Sequence, residues 1–337
     1  MQLMDRTVDL HSPIKLLLGN LCQADGDTLE IRETLMSWLF LGASRVYKIK
    51  KPVRYPFLDF SSIAKRRHFC FEELRLNRRL ASNTYLSVLP ICRAADGGLH
   101  LGDHGEAVDW VVKMQRLSDY YMLDTRMRAG LQEELDIEAI ASLLSRFFES
   151  LPSERIDADH QLAYLAEQLN IDAVVLCRKE FGLAAQLSPL LNKAHRLLQE
   201  CAPELQDRIA SGRFREGHGD LRPEHVWLGN PLQIIDCLEF NRMMRIVDPY
   251  EEIAQFGKEC SIAGYPWVAD LLMSRIASLL GGRPPEKLYR FYVIFRAVLR
   301  ARMCMAHFLD PNPRNPWKWQ PLALKYIQVA KEVSKTA

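Results

Sequence analysis

The sequence predicts an α+β chain, a small antiparallel β lobe with one helix followed by a large, mainly helical lobe. Three observations predict it. Alternating β-rich runs are confined to about the first 115 of 337 residues. From Asp136 onward, apolar residues recur at helical spacing. The length exceeds that of a typical domain, so two lobes sharing one cleft are expected, residues 1–115 and residues 116–337.

The first β signal is a hairpin. Residues 33–41 and 45–50 are β-rich and flank the turn Gly42-Ala43-Ser44. Alternation puts Val46, Lys48 and Lys50 on one face and Tyr47, Ile49 and Lys51 on the other. A helix pattern follows, capped by Ser61 or Ser62, with Phe69, Leu74, Leu76 and Leu80 near helical spacing. Glu73 lies seven residues before Leu80, two helical turns, and so shares its sheet-facing side; Glu72 is the alternative. Residues 85–91 and 107–114 read as further strands, with Asp96-Gly97-Gly98 as a turn between them. Residues 1–30 give no clear element apart from a turn at Asp25-Gly26-Asp27. In the second lobe, helices are expected over 137–148, 160–169, 173–181, 187–199 and 285–308. The stretch Pro316-Trp317-Lys318-Trp319-Gln320-Pro321 is a candidate lining for an acceptor pocket or a dimer contact.

Composition removes several function classes. The 44 basic and 42 acidic residues leave a net charge of +2, too balanced for a nucleic-acid or anionic-membrane binder. Eight cysteines show neither a C-x-x-C pair nor Cys/His metal spacing, which argues against a disulfide framework and a zinc site. No window reads as a bilayer span and residues 1–20 lack a leader pattern, so the expected compartment is the cytoplasm.

The chemistry concentrates in residues 217–226, Gly217-His218-Gly219-Asp220-Leu221-Arg222-Pro223-Glu224-His225-Val226, and in the hairpin 232–240. Phosphoryl transfer needs one carboxylate to orient the acceptor hydroxyl and further ligands to hold cations between phosphate oxygens. Kinases place the first on an H-R-D-x-x-x-x-N loop and the second metal ligand one short hairpin later. Here His218-Gly219-Asp220 fits the start of such a loop, His225 stands five residues after Asp220, and Asp236 follows sixteen residues after it behind an apolar run.

These residues resemble the aminoglycoside phosphotransferase-like branch of the protein-kinase-like superfamily. Tyr47-Lys48-Ile49-Lys50-Lys51-Pro52-Val53, Phe57-Leu58-Asp59-Phe60-Ser61 and Glu72-Glu73-Leu74-Arg75-Leu76-Asn77-Arg78-Arg79-Leu80 narrow the resemblance. They are similar to an uncharacterised bacterial phosphotransferase-like domain often fused to a P-loop ATPase or kinase domain. This chain carries no G-x-x-x-x-G-K-[ST], so it resembles a stand-alone version, with such an ATPase or kinase protein as a candidate partner.

The resemblance implies a protein-kinase-like two-lobed fold and an ATP- or GTP-dependent, Mg2+-dependent phosphotransferase acting on a small-molecule hydroxyl. In that frame Asp220 orients the acceptor and Lys48, preferred over Lys50, pairs with nucleotide phosphates under the hold of Glu73. Backbone groups at Met114 to Leu117 meet adenine. Asp236 binds metal, with His225 near the second metal position and Glu239 near metal or substrate. His218 and Asp248 support the loop structurally. The family's usual Asn stands as His225 here, which makes a nucleotide-binding module without transfer activity the rival. A protein Ser/Thr kinase fits less well, because the segment between Asp236 and Asp248 is short for docking a peptide.

Overall fold

A computed structural model describes residues 11–26, 28–310, 313 and 315–335. The chain divides into two compact units. One runs to Tyr121 and takes in Gly229–Arg242; the other comprises Met122–Leu228 and Met243 onward. The expected boundary at 115/116 thus falls a few residues later, and the hairpin expected with the helical lobe is built into the first unit.

The first unit is a six-stranded antiparallel sheet with a helix on each face. Its elements are α1 (His11–Ala24), β1 (Glu30–Glu33), β2 (Ser37–Leu41), β3 (Arg45–Lys50), β4 (Arg54–Tyr55), β5 (Leu58–Asp59), α2 (Ile63–Ala81), β6 (Tyr85–Arg93), β7 (Leu99–Leu101) and β8 (Glu106–Gln115). The strand order is β1-β2-β3-β8-β6-β7, with the β4–β5 hairpin apart. Period-two alternation sorts β3: Tyr47 and Ile49 pack with Ile14, Leu18 and Cys22 of α1, while Val46 joins Cys70 and Ala81 of α2. Lys48 and Lys50 share the parity of Val46 and therefore face α2.

The sequence reading missed α1, so among the described residues this unit carries two helices where one was expected. Its signal was Ile14, Leu18 and Cys22 at four-residue intervals. Burying each of those two aliphatic side chains contributes roughly 1.5–3 kcal/mol. Ser62 caps α2, its hydroxyl accepting from the Lys65 amide at 3.3 Å. The buried residues of α2 are Arg66, Cys70, Glu73, Leu76, Asn77, Leu80 and Ala81, so three polar side chains are set among apolar ones on its inner side.

The second unit is helical: α3 (Leu123–Ala129), α4 (Glu134–Ser150), α5 (Ala158–Leu176), α6 (Ala184–Glu200), α7 (Ala202–Ala210), α8 (Pro249–Ile262), α9 (Trp267–Leu279), α10 (Glu286–Ala306) and α11 (Pro316–Lys335). The two helices expected over 160–181 are one continuous helix through Leu176 followed by a single turn at Lys179–Phe181. Helices α8 and α10 form the centre, with every residue from Pro249 to Cys260 buried. The short strands Arg215–Glu216 and Ile246–Val247 pair antiparallel and deliver the chain to residues 217–226 beside the start of α8. Trp317 lies exposed at the start of α11, and Trp319 stacks on His307 with ring centroids 3.7 Å apart. No helix among the described residues is long and apolar enough to cross a membrane.

Candidate functional site

In the first unit, β3, α2 and the Gly229–Arg242 segment converge five charged side chains. Lys48 Nζ lies 2.7 Å from Glu73 Oε1 and 2.9 Å from Asp236 Oδ1. Lys50 Nζ lies 2.7 Å from Glu73 Oε2 and also bonds Glu239 Oε1. Glu73 is fully buried, so its two oxygens divide between two ammonium groups. Sequence reading chose Lys48 over Lys50; the structure puts both on the same carboxylate, while Glu72 pairs with Arg75 on the outside of the helix.

Electrostatics explains how this cluster persists. Burial works against the charged forms, but Asp236, Glu73 and Glu239 together hold the Lys48 ammonium well above its ordinary range. Burial likewise opposes ionisation of Glu73, and Lys48 and Lys50 reverse it, leaving its carboxyl below the usual value. Glu239 goes the other way: burial dominates and raises it despite Lys50.

Asp236 sits just after the short strand Gln233–Ile234 with φ of 61°, a left-handed conformation that Asp tolerates better than most residues. Its turn is strapped to the rest of the unit. The Asp236 amide donates to Tyr85 Oη at 3.1 Å, and the Cys237 amide to Asn77 Oδ1 at 2.8 Å. Asn77 in turn donates to the Glu73 carbonyl at 2.9 Å, tying the turn to the same helix that carries Glu73. The Asp236 side chain is 48% exposed.

Two cations against three carboxylates leave one negative charge if all are ionised (2 − 3 = −1). This donor set fits Mg2+, which prefers oxygen ligands and takes one or two carboxylates alongside substrate phosphates. Met114 lies inside the sheet, opposite Val46 and Tyr85. Leu117 follows the end of β8, and its backbone amide and carbonyl have no partner among the described residues.

In the second unit, residues 217–226 are held mainly through backbone. The buried Glu252 carboxylate of α8 accepts from the His218 amide at 3.1 Å and from the Gly219 amide. A Cβ at Gly217 would stand 2.8 Å from that carboxylate, and Gly219 has φ of 86°, so the turn favours glycine at both places. His218 is buried and its Nδ1 accepts from the Asp220 amide at 3.3 Å. Asp248 caps α8 at the Tyr250 amide and receives Arg208 and the Tyr292 hydroxyl.

His225, expected near a metal, has both ring nitrogens engaged within its own loop. Nδ1 donates to the Asp220 carbonyl at 2.8 Å, and Nε2 stands 3.2 Å from Arg222 Nη2, which can only donate. That arrangement fixes the tautomer and leaves no lone pair facing outward. His225 therefore acts as a brace for Asp220 in this structure.

The Asp220 carboxylate is 29% exposed. Oδ1 accepts from Gln255 Nε2 at 3.1 Å and lies 4.0 Å from Arg300 Nη1. Oδ2 faces Arg222 Nε at 3.2 Å and accepts no hydrogen bond among the described residues, so its lone pairs are open. Burial raises this carboxyl, but Arg222, with Arg300 also facing it, more than reverses that and holds it well below the usual carboxylate range. Arg222, Glu252, Gln255 and Arg300 were missed by sequence reading. The first lies inside the motif; Glu252, Gln255 and Glu259 recur at helical spacing after the Asp248-Pro249 helix start.

No family model matches the chain. It is 28% identical over 297 residues to an uncharacterized protein of Mycobacterium tuberculosis and to one of Mycobacterium bovis, covering 86% of this chain. It spans 57% of the length of those relatives. Among solved structures, a choline/ethanolamine kinase family protein from Mesorhizobium loti matches over 96% of this chain and 93% of its own, with TM-score 0.55 and 13% identity. The choline kinase LicA from Streptococcus pneumoniae matches over 96% and 99%, with TM-score 0.56 and 11% identity. A thermostable mutant of the aminoglycoside phosphotransferase APH(4)-Ia matches over 92% and 94%, with TM-score 0.53 and 12% identity. The fold is therefore the one these kinases and this phosphotransferase share, an antiparallel β unit and a helical unit.

Proposed function

We propose that the protein is a phosphotransferase that moves the terminal phosphoryl group of ATP or GTP to the hydroxyl of a small molecule. The observation that carries this reading is the Lys48–Glu73 ion pair with Asp236 beside it. An ammonium fixed by a buried carboxylate, next to a half-exposed carboxylate, is the set that phosphate oxygens and a divalent cation require. The fold shared with choline kinases and an aminoglycoside phosphotransferase supports the same class of chemistry.

Mg2+, when bound with the nucleotide, supplies charge neutralisation between phosphate oxygens. The protein's own parts then divide simply. Lys48 pairs with phosphate oxygens, and Glu73 keeps it charged and aimed. Lys50 holds Glu73 and Glu239 from behind, so Lys48 can leave Asp236 without stripping Glu73 of its last cation. Asp236 is the metal carboxylate. Asp220 receives the acceptor hydroxyl at Oδ2, already ionised at neutral pH, and donation from Gln255 to Oδ1 keeps the carboxylate plane fixed. The backbone at Leu117 offers one donor and one acceptor for a purine edge.

Calorimetric titration with ATP and GTP, with and without Mg2+, tests the reading. Metal-dependent binding that is lost in Asp236→Ala is the expected result. Absence of nucleotide binding under every metal condition would remove the proposal.

A further inference from the structure

The surroundings of Asp220 also bear on what the acceptor is. Two guanidinium groups flank the carboxylate, Arg222 at 3.2 Å and Arg300 at 4.0 Å. The neighbouring acids are already matched. Glu224 Oε1 bonds Arg222 Nη1 at 2.6 Å. Glu259 takes Lys258 at 3.0 Å, Arg300 Nε at 3.4 Å and the Tyr326 hydroxyl at 2.8 Å. Three cations and three carboxylates balance (3 − 3 = 0), so the network carries no surplus negative charge to draw in a positively charged ligand. An aromatic cage is not on offer from this network either. Lys258 Nζ lies 4.5 Å and Arg300 Cζ 5.7 Å from the centroid of the Tyr326 ring.

Arg300 itself is built as a receptor. Glu259 and Tyr326 fix its Nε side, its side chain keeps 11% exposure, and its Nη2 has no partner among the described residues. With Nη1 on the side of Met303 Sδ and Asp220, the held guanidinium keeps Nη2 as a charged donor for an oxygen of a carboxylate or phosphate.

Resting on the phosphotransferase reading, we propose that the acceptor is an anion: a small hydroxylated acid whose carboxylate or phosphate is taken by Arg300 while its hydroxyl meets Asp220. In the transfer step the acceptor oxygen forms a bond to the terminal phosphorus of a nucleoside triphosphate. The bond from that phosphorus to the bridging oxygen breaks, the hydroxyl proton passes to Asp220, and nucleoside diphosphate leaves. Amino-alcohol acceptors, the kind suggested by the choline kinase folds, would instead meet two guanidinium groups.

The test uses the full chain and terminally labelled ATP. Deproteinised cell extract is separated by ion exchange at pH 7 into anionic, neutral and cationic small-molecule pools, and each pool is offered as acceptor. Label transfer that is supported by the anionic pool and abolished in Asp220→Asn is the expected result. Treating that pool with phosphatase, then removing the enzyme, separates the two anion classes: surviving transfer identifies a carboxylate, lost transfer a phosphate ester. Arg300→Gln should raise the half-saturating amount of the anionic pool at least tenfold, and Arg300→Lys should recover part of it. Transfer confined to the neutral or cationic pool overturns the inference and leaves the phosphotransferase reading standing. A fall in kcat with unchanged half-saturation in both folded Arg300 variants, checked by thermal melting, also overturns it. Absence of label transfer with all three pools removes the underlying reading as well.

Discussion

The two units solve the same problem, keeping a carboxylate charged and aimed, by different means. The first unit does it with side-chain ion pairs: Glu73 is buried and ionised because two lysines from one strand reach it. The second aims its carboxylate largely through backbone bonds, Glu252 drawing in the His218 and Gly219 amides and His225 gripping the Asp220 carbonyl, and keeps it charged with the guanidinium groups of Arg222 and Arg300. A backbone-held loop has one geometry. A cluster of lysines and carboxylates can exchange partners when a further charge arrives, as a phosphate or a cation would require.

The comparison is sharpened most by Asp220→Asn, which keeps every backbone contact of its loop and removes only the anion. Losing a positioned base costs about 10²–10⁴-fold in rate. Phosphoryl transfer should fall by that factor while calorimetric nucleotide affinity stays within about twofold. Normal turnover in this variant would sink the assigned role.

Next in size is Glu73→Gln. It takes from the fully buried Lys50 and from Lys48 the carboxylate they share, leaving Lys50 with Glu239 and Lys48 with Asp236. Removing one partner of a buried ion pair typically costs about 3–5 kcal/mol. Urea unfolding should report a loss of that order, and Lys50→Met in the same chain should restore part of it. Equal stability of wild type and Glu73→Gln would mean that the pairs exchange freely with water.

Legibility in the sequence follows the same division. Glu73 could be chosen over Glu72 because seven residues to Leu80 is two helical turns, and strand parity put Lys48 and Lys50 on one face. Parity could not reveal that both lysines meet one carboxylate, since that depends on how β3 lies against α2. The Asp220 loop was visible as a motif, but its supports were not. Gln255 belongs to a helix buried on every side, where no amphipathic stripe singles it out. Arg300 shares α10 with Arg290, Arg296 and Arg302, which bind Glu286, Glu251 and Asp172 respectively. Only packing distinguishes the arginine that reaches Asp220. The four-residue interval of Ile14, Leu18 and Cys22, by contrast, is a helical signal present in the sequence itself.

Glu252→Gln should cost less than Glu73→Gln. The amide oxygen still accepts one backbone bond, so what is lost is the charge assistance and the second acceptor, about 1–3 kcal/mol. Because the glycine turn would loosen, kcat should fall with nucleotide affinity unchanged. A stability loss as large as that of Glu73→Gln would mean the loop is held chiefly by charge and would erase the distinction between the units.

The smallest effect contrasts Glu73 with another fully buried carboxylate, Asp172 of α5. Arg302 Nε lies 2.9 Å from Asp172 Oδ1, yet neither Asp172 oxygen has a hydrogen-bond partner among the described residues. Burial therefore outweighs Arg302 and pushes the Asp172 carboxyl up to about 7. The signs are opposite. Glu73, depressed when folded, contributes stability above its unfolded value that is lost only as pH falls through the folded one. Asp172, raised when folded, binds a proton that the unfolded chain releases, so between its unfolded value and about 7 stability grows as pH falls. Lowering pH from about 7.5 to 6.5 should stabilise the wild type by about 0.7 kcal/mol through this group alone, by linkage. Asp172→Asn, which carries no proton to titrate, should lose that increment. Paired urea titrations of the two proteins at both pH values isolate it from the histidines, which they share. An identical pH slope would show that Arg302 keeps Asp172 ionised and that one arginine suffices where Glu73 has two lysines.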